Sequence, residues 1–178
     1  MQIVDKIISN FINNKSLYIG EKVTMSEHMI QTAMLAEKAK CSDDLICSSL
    51  LHDYGHFILE NPDELVKLNV DGQHENIGYE YLKNFFKKEI LEPIKYHVLA
   101  KQYLANDKKY FDLLSEASKT SLKLQGGALN PNECNKFESQ EYFKSSILLR
   151  KFDEAAKRTD LQMKSIHAYK KLLTSKLI

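Results

Sequence analysis

The sequence predicts an all-α domain with a metal-binding interior, and three observations carry that reading. Apolar residues recur at helical offsets along most of the chain, and no period-two run marks a strand. Histidines and aspartates fall on the apolar faces of those helices. Five of the six histidines lie between positions 28 and 97, with only His167 apart.

Taken in order, Ile3, Ile7, Ile8 and Phe11 form the inward face of a first helix that Asn13-Asn14 ends. A loop at Tyr18-Ile19-Gly20-Glu21 leads into a helix from about Thr24 to Lys40, on which His28 shares a face with Thr32, Leu35, Ala36 and Ala39. Ser42 caps the next helix, where Leu45, Ser49, His52, Asp53 and His56 fall on one stripe. Asn61-Pro62 begins a variable connection, and Asp71-Gly72 makes a turn. His74, Ile77, Gly78, Tyr81, Leu82 and Phe85 keep the helical pattern. Ile90, Ile94, His97 and Lys101 occupy one side of a short helix. Ser115 opens another helix, which carries Ser118 and which Gly126-Gly127 stops. Between Glu141 and Lys157 the residues Tyr142, Ser146, Leu149, Arg150 and Asp153 share a face. Ile166, Tyr169, Leu173 and Leu177 suggest a closing helix.

A chain of 178 residues fits one domain, 1–178, with a well-buried core. A net charge of +1 without a basic stripe argues against nucleic-acid binding. There is no signal peptide and no apolar run near membrane-spanning length, so the expectation is a protein that is neither exported nor membrane-bound. Cys41, Cys47 and Cys134 cannot all pair within one chain and lack zinc-ribbon spacing, which suits reduced thiols in a cytoplasm.

The polar residues on inward faces carry the functional signal. Leaving a buried imidazole unsatisfied costs about 1–3 kcal/mol. One such residue is explained by hydrogen-bond partners in the core. Four, on separate helices and accompanied by two inward aspartates, are satisfied together by a metal centre. The ligand number points to two metals: His28, His52, Asp53 and Asp153 around one, Asp53, His74 and His97 around the other, with the Asp53 carboxylate bridging. Asp160 is a rival for the last ligand position. The stretch His52-Asp53-Tyr54-Gly55-His56 also mimics the zinc-protease pattern His-Glu-x-x-His. That alternative fails because Asp is shorter than the Glu that must reach metal-bound water, and because it leaves His28, His74 and His97 unexplained.

The order His28, His52-Asp53, His74, His97, Asp153 resembles that of the HD-domain superfamily, all-helical bundles that bind one or two metals in their core. The surrounding residues resemble a narrower branch, the PhnZ-type mixed-valent diiron oxygenases. The matching stretches are Tyr18 to Glu21, Glu27-His28 with Gln31, Leu50 to His56, Gln73-His74-Glu75, His97-Val98 with Ala100-Lys101, Gln125-Gly126-Gly127, and Arg150 with Asp153. The chain departs at Ala128-Leu129, and the segments from Asn61 to Val70 and from Asn130 to Gln140 show no match.

The resemblance implies that His28, His52, Asp53, His74, His97 and Asp153 bind two iron ions, Fe(II) and Fe(III), with O2 as co-substrate. It implies that Tyr18 and Glu21 form a lid. The tyrosine would sit on iron until substrate displaces it, and the glutamate would receive a cationic amine. His56, Lys101, Ser118 and Arg150 would hold phosphonate oxygens, Lys and Arg as charge-assisted donors and Ser as a neutral one. Ser121 lies close enough in sequence to compete with Ser118. The implied reaction is O2-dependent cleavage of the carbon–phosphorus bond of a 1-hydroxyphosphonate. With 2-amino-1-hydroxyethylphosphonate or its trimethylammonium analogue the products would be glycine or glycine betaine, together with phosphate. A metal-dependent HD phosphohydrolase would use the same metal ligands without the lid pair and without need of iron.

Overall fold

In a computed structural model, residues 2–18, 20–59 and 72–178 are described. Ten α-helices are found among them. They are α1 (Ile3–Asn13), α2 (Met25–Lys38), α3 (Asp43–Leu51), α4 (His74–Leu82), α5 (Lys88–Leu104), α6 (Lys108–Leu113), α7 (Glu116–Leu124), α8 (Pro131–Glu138), α9 (Phe143–Ala155) and α10 (Lys170–Ser175). Two 3-10 turns, Tyr54–Phe57 and Ile166–Tyr169, follow α3 and precede α10. The only β pairing among the described residues is two isolated bridges, Leu17 with Thr24 and Phe86 with Leu177. The all-α expectation holds. The turn assigned to Asn61-Pro62 lies outside the described residues, as does Asp71.

Helix starts follow the capping chemistry. Thr24 and Glu27 form a reciprocal capping box on α2, and the Ser42 and Ser115 side chains accept from Leu45 N and Ser118 N at the starts of α3 and α7. Gly126 and Gly127, at φ +100° and +83°, end the α7 segment where a Cβ would strain the backbone.

The main core gathers Val4, Ile7, Ile8 and Phe11 of α1 with Met29 and Ala33 of α2, Leu50 and Leu51 of α3, Leu82 of α4 and Ile90 and Ile94 of α5. Helix α9 packs on α5 and also on α2 and α3, so α2, α3, α5 and α9 form the bundle that surrounds the polar interior. Ser48 of α3 donates to the Ile90 carbonyl across the α3–α5 contact, near Pro93, whose ring cannot donate to the helix ladder.

The structure corrects several expected boundaries. The helix through His97 is not short; it runs for 17 residues. The stripe from Leu45 to His56 is not one helix, because α3 stops at Leu51 and His56 stands in the following 3-10 turn. The closing helix is split, its first turn being 3-10. Helix α8 had no counterpart in the periodicity. It is held by Phe137, which packs on Tyr96, Tyr103 and Phe143 with ring centroids 6.2, 5.7 and 5.0 Å away. No helix among the described residues is long and apolar enough to cross a membrane.

Candidate metal centre

Each inward histidine and aspartate is placed by a local feature of the chain. His28 sits one turn into α2, after the capping box, and its carbonyl accepts from Thr32 Oγ1 at 2.9 Å. His52 and Asp53 occupy the break between α3 and the 3-10 turn. His74 is the first residue of α4, preceded by Gln73 at φ +48°. His97 comes from α5 and Asp153 from the last turn of α9. Gly55 lets these pieces meet: a Cβ there would lie 1.9 Å from the His74 carbonyl oxygen and 3.0 Å from Gly78 N. The residue that weakens a helix in sequence is the one that lets α4 approach.

The side chains converge as two groups of three, His28, His52 and Asp153 in one, Asp53, His74 and His97 in the other. All six are buried. Asp53 faces both groups. Its Oδ2 lies 3.5 Å from His28 Nε2 and 3.3 Å from His52 Nε2, while its Oδ1 lies 3.1 Å from His74 Nε2 and 3.4 Å from His97 Nε2. One carboxylate thus lies within reach of both groups. Asp160 is exposed and paired with Arg158, well removed from this role.

The donor chemistry fits metal ions. Nδ1 of His28, His52 and His97 hydrogen-bonds the carbonyls of Ala156, Ser49 and Ile94 at 2.9, 2.9 and 2.6 Å. Those contacts fix the tautomer and leave Nε2 with a lone pair. Yet the Nε2 atoms of His28 and His52 lie 3.2 Å apart, and those of His74 and His97 lie 3.0 Å apart. At that distance each pair of nitrogens needs a shared proton or a metal ion between them. Asp53 Oδ2 and Asp153 Oδ1 are buried without a hydrogen-bond partner, and a metal would satisfy both. His74 differs from the other three in having a carboxylate, Glu75 Oε2, 3.6 Å from its Nδ1. The residues present therefore fit a two-metal site with nitrogen and oxygen ligands.

The electrostatics agree. Burial opposes ionisation of Asp53, but His52, His28 and His74 outweigh it and hold the carboxyl well below its ordinary range. Asp153 is likewise lowered against burial, by Arg150 first and then by His28 and His52. Burial also opposes protonation of His52, yet Asp53 and Asp153 raise it to about 10. At pH 7.5, which is below that value, His52 carries a proton when no metal is bound, and it must lose that proton to become a ligand. Adding metal to stripped protein at pH 7.5 should therefore release roughly one proton or more per chain, measured by pH-stat. Metal uptake with no proton release would contradict this arrangement.

A cavity of about 400 Å3 opens on the centre. Tyr18, His56, Lys101, Ser118 and Arg150 all line it, beside Asp53, His74, His97 and Asp153. Tyr18 stacks on His28 with centroids 4.0 Å apart, and burial together with Asp53 and Asp153 raises its phenol well above the ordinary value. His56 stacks on His74 at 4.2 Å. Burial and the neighbouring His74 push His56 down to about 3, and its Nδ1 is buried without a partner. Lys101, pushed down to about 7 by burial and by Arg150, donates to Ser121 Oγ at 2.9 Å. Both candidate serines therefore reach the cavity wall.

Glu21 stands differently. It does not line the cavity, and its Oε1 lies 3.2 Å from Lys157 Nζ. Gly20, at φ +75°, brings its loop so close to α7 that a Cβ would lie 2.8 Å from Ala117 Cβ. Three residues with no place in the sequence reading, Tyr110, Glu154 and Lys157, do not line the cavity but hold side chains that do. Arg150 donates to Asp153 Oδ2, to Glu154 Oε2 and, at 2.8 Å, to the Tyr110 hydroxyl. Lys157 donates to Ser115, Ser118 and Glu154. Glu154 follows Arg150 by four on α9, a spacing that could have found it, whereas Lys157 lies beyond the helix end. Tyr110 left no such trace.

A helical bundle whose core holds two such groups joined by one aspartate defines an HD-domain metal protein, and the HD domain family matches residues 25–127. The chain belongs to that family. It is 44% identical over 82% of its length to [1-hydroxy-2-(trimethylamino)ethyl]phosphonate dioxygenase (glycine-betaine-forming) of Leisingera caerulea, covering 74% of that protein. It is 39% identical over 85% of its length to hydroxymethylphosphonate dioxygenase of Gimesia maris, covering 77% of it. A protein of Acanthamoeba polyphaga mimivirus without assigned function is 38% identical over 88% of the chain. Within the HD-domain family, then, the chain belongs to the branch of PhnZ-type phosphonate dioxygenases.

Proposed function

We propose that this protein is an iron oxygenase, built as one domain over residues 1–178, that uses O2 to split the carbon–phosphorus bond of a small 1-hydroxyphosphonate. Substrate and O2 give a carboxylate, phosphate and one proton, so atoms and electrons balance without a further reductant. One observation carries the reading: the Asp53-bridged pair of metal groups opens directly onto a cavity walled by Lys101, Arg150, Ser118 and His56.

Iron bound by His28, His52, Asp53, His74, His97 and Asp153, as a Fe(II)/Fe(III) pair, would supply the O2 chemistry and a Lewis-acid anchor for substrate oxygens. The chain does the rest. Arg150 holds Asp153 through one carboxylate oxygen and so turns the other towards His28, at 3.2 Å. Lys101 and Arg150 place positive charge beside the phosphonate. His56, neutral at physiological pH, offers a ring nitrogen, and Ser118 a hydroxyl. Tyr18 would cover the His28 side of the centre until substrate moves it, and Glu21, paired with Lys157 off the cavity, would have to turn inward to meet a cationic tail. Both aminated and trimethylammonium substrates fit these requirements.

The test is oxygen. Iron-loaded protein given a 1-hydroxyphosphonate in air should release phosphate and a carboxylic acid, and under nitrogen should release neither beyond a stoichiometric trace. Equal phosphate in both atmospheres would mark a hydrolase instead.

A further inference from the structure

We infer that Glu75 is a positioning residue for the metal centre, which steadies the His74 ring from behind and lends negative charge to the ion held by Asp53, His74 and His97. The inference rests on the two-metal reading above and concerns how the two ions differ. His52 and His97 each bond their Nδ1 to a carbonyl three residues back, at Ser49 and Ile94. His74 opens α4, so no earlier turn of that helix exists to supply such a carbonyl. What stands near its Nδ1 instead is Glu75 Oε2, 3.6 Å away. That oxygen is buried and accepts no hydrogen bond, while Oε1 of the same carboxylate accepts from Asn76 Nδ2 at 3.1 Å. Glu75 is only 7% exposed, and among the described residues His74 is its one ion-pair partner. A carboxylate buried without a lysine or arginine is costly unless positive charge lies close by. The first turn of α4 supplies a little of that charge, and an ion on His74 Nε2 would supply more through the ring. The charge balance points the same way. The group of His28, His52 and Asp153 has one carboxylate to itself and shares Asp53, whereas His74 and His97 have only the shared one. Glu75 makes up that difference from behind the imidazole, where a carboxylate raises the basicity of the ligand and fixes the ring.

The experiment follows metal binding rather than turnover. Iron-loaded protein, kept ferrous under nitrogen, is equilibrated against a chelator at graded concentrations, and the iron retained per chain is read by elemental analysis. Glu75→Gln, which keeps the shape but loses the charge, should bind one of its two ions about 10–100-fold more weakly and hold the other as the wild type does. Glu75→Met, neutral and of similar length, should behave alike and stands in for the first variant if that protein does not fold. Adding Glu75→Gln to His74→Ala should change nothing further, because the ion that remains is held by residues Glu75 does not touch. Release curves unchanged from the wild type overturn the inference. Equal weakening of both ions overturns it as well, since Glu75 would then support the fold in general. A further loss of affinity in the His74→Ala background does the same, because the effect would not pass through His74. If wild-type protein never holds two ions, the two-metal reading itself fails and this inference falls with it.

Discussion

Asp53→Ala should leave the protein with almost no bound metal, the largest loss expected of any single substitution in the centre. The reason is geometric. Every other ligand serves one group of three, whereas the two oxygens of Asp53 face opposite pairs of histidines, at 3.3 to 3.5 Å on one side and 3.1 to 3.4 Å on the other. Removing it takes a ligand from both ions and deletes one of only two carboxylates that offset their charge. Four imidazoles and two cations would then be left with Asp153 alone, an arrangement that buried charges do not tolerate without a partner. His74→Ala is the comparison, since it strips only the second group. Elemental analysis should find roughly two metals per chain in the wild type, about one in His74→Ala and near zero in Asp53→Ala, as expected for a shared carboxylate. Oxygen-dependent turnover should vanish in the last of these. Two ions retained in Asp53→Ala would mean that the carboxylate does not bridge.

How much of this centre could be read from sequence follows from what helices encode. His28, His97 and Asp153 sit on long helices, where the 3.6-residue period states which face is buried, and all three were legible as inward. His52 and Asp53 were legible for the wrong reason. The stripe assumed an α-helix through His56, while the chain leaves the helix at Leu51 and turns both side chains inward through a 3-10 segment. Only the long-range approach of α4 decides that geometry, and period counting carries no information about it. Helix α8 was missed because its apolar face is little more than Phe137, although Asn130, Pro131 and Glu133 spell a complete N-terminal cap. Lys157 was missed because a lysine at the end of a helix reads as solvated charge until the side chains around it are seen. The ion pair with Glu21 joins positions 136 residues apart, so no local pattern announces it.

Gly55→Ala is expected to cost one metal of the two and to destabilise the fold, although alanine is a better helix former than glycine. Gly55 does not have a positive φ, so no backbone strain attends the substitution. The obstacle is the neighbour. The added Cβ would stand 1.9 Å from the His74 carbonyl oxygen, 2.7 Å from its carbonyl carbon and 3.0 Å from Gly78 N. These are backbone atoms, which cannot rotate away as a side chain would, so α4 must move off the 3-10 turn as a unit. Restoring an ordinary contact needs a shift of more than 1 Å, and His74, as the first residue of α4, is carried with it. Overpacking of this kind costs about 1–3 kcal/mol or more, and a ligand displaced by 1 Å no longer completes a coordination shell. Gly127→Ala isolates the packing effect, because a Cβ there meets nothing within 4 Å and suffers only its φ of +83°. The Gly127 variant should lose about 1 kcal/mol by chemical denaturation and keep both metals. The Gly55 variant should melt lower than this control and bind close to one metal per chain, held by His28, His52, Asp153 and Asp53. If Gly55→Ala instead binds two metals and melts like the wild type, the close crossing of α4 over Gly55 is not what positions His74.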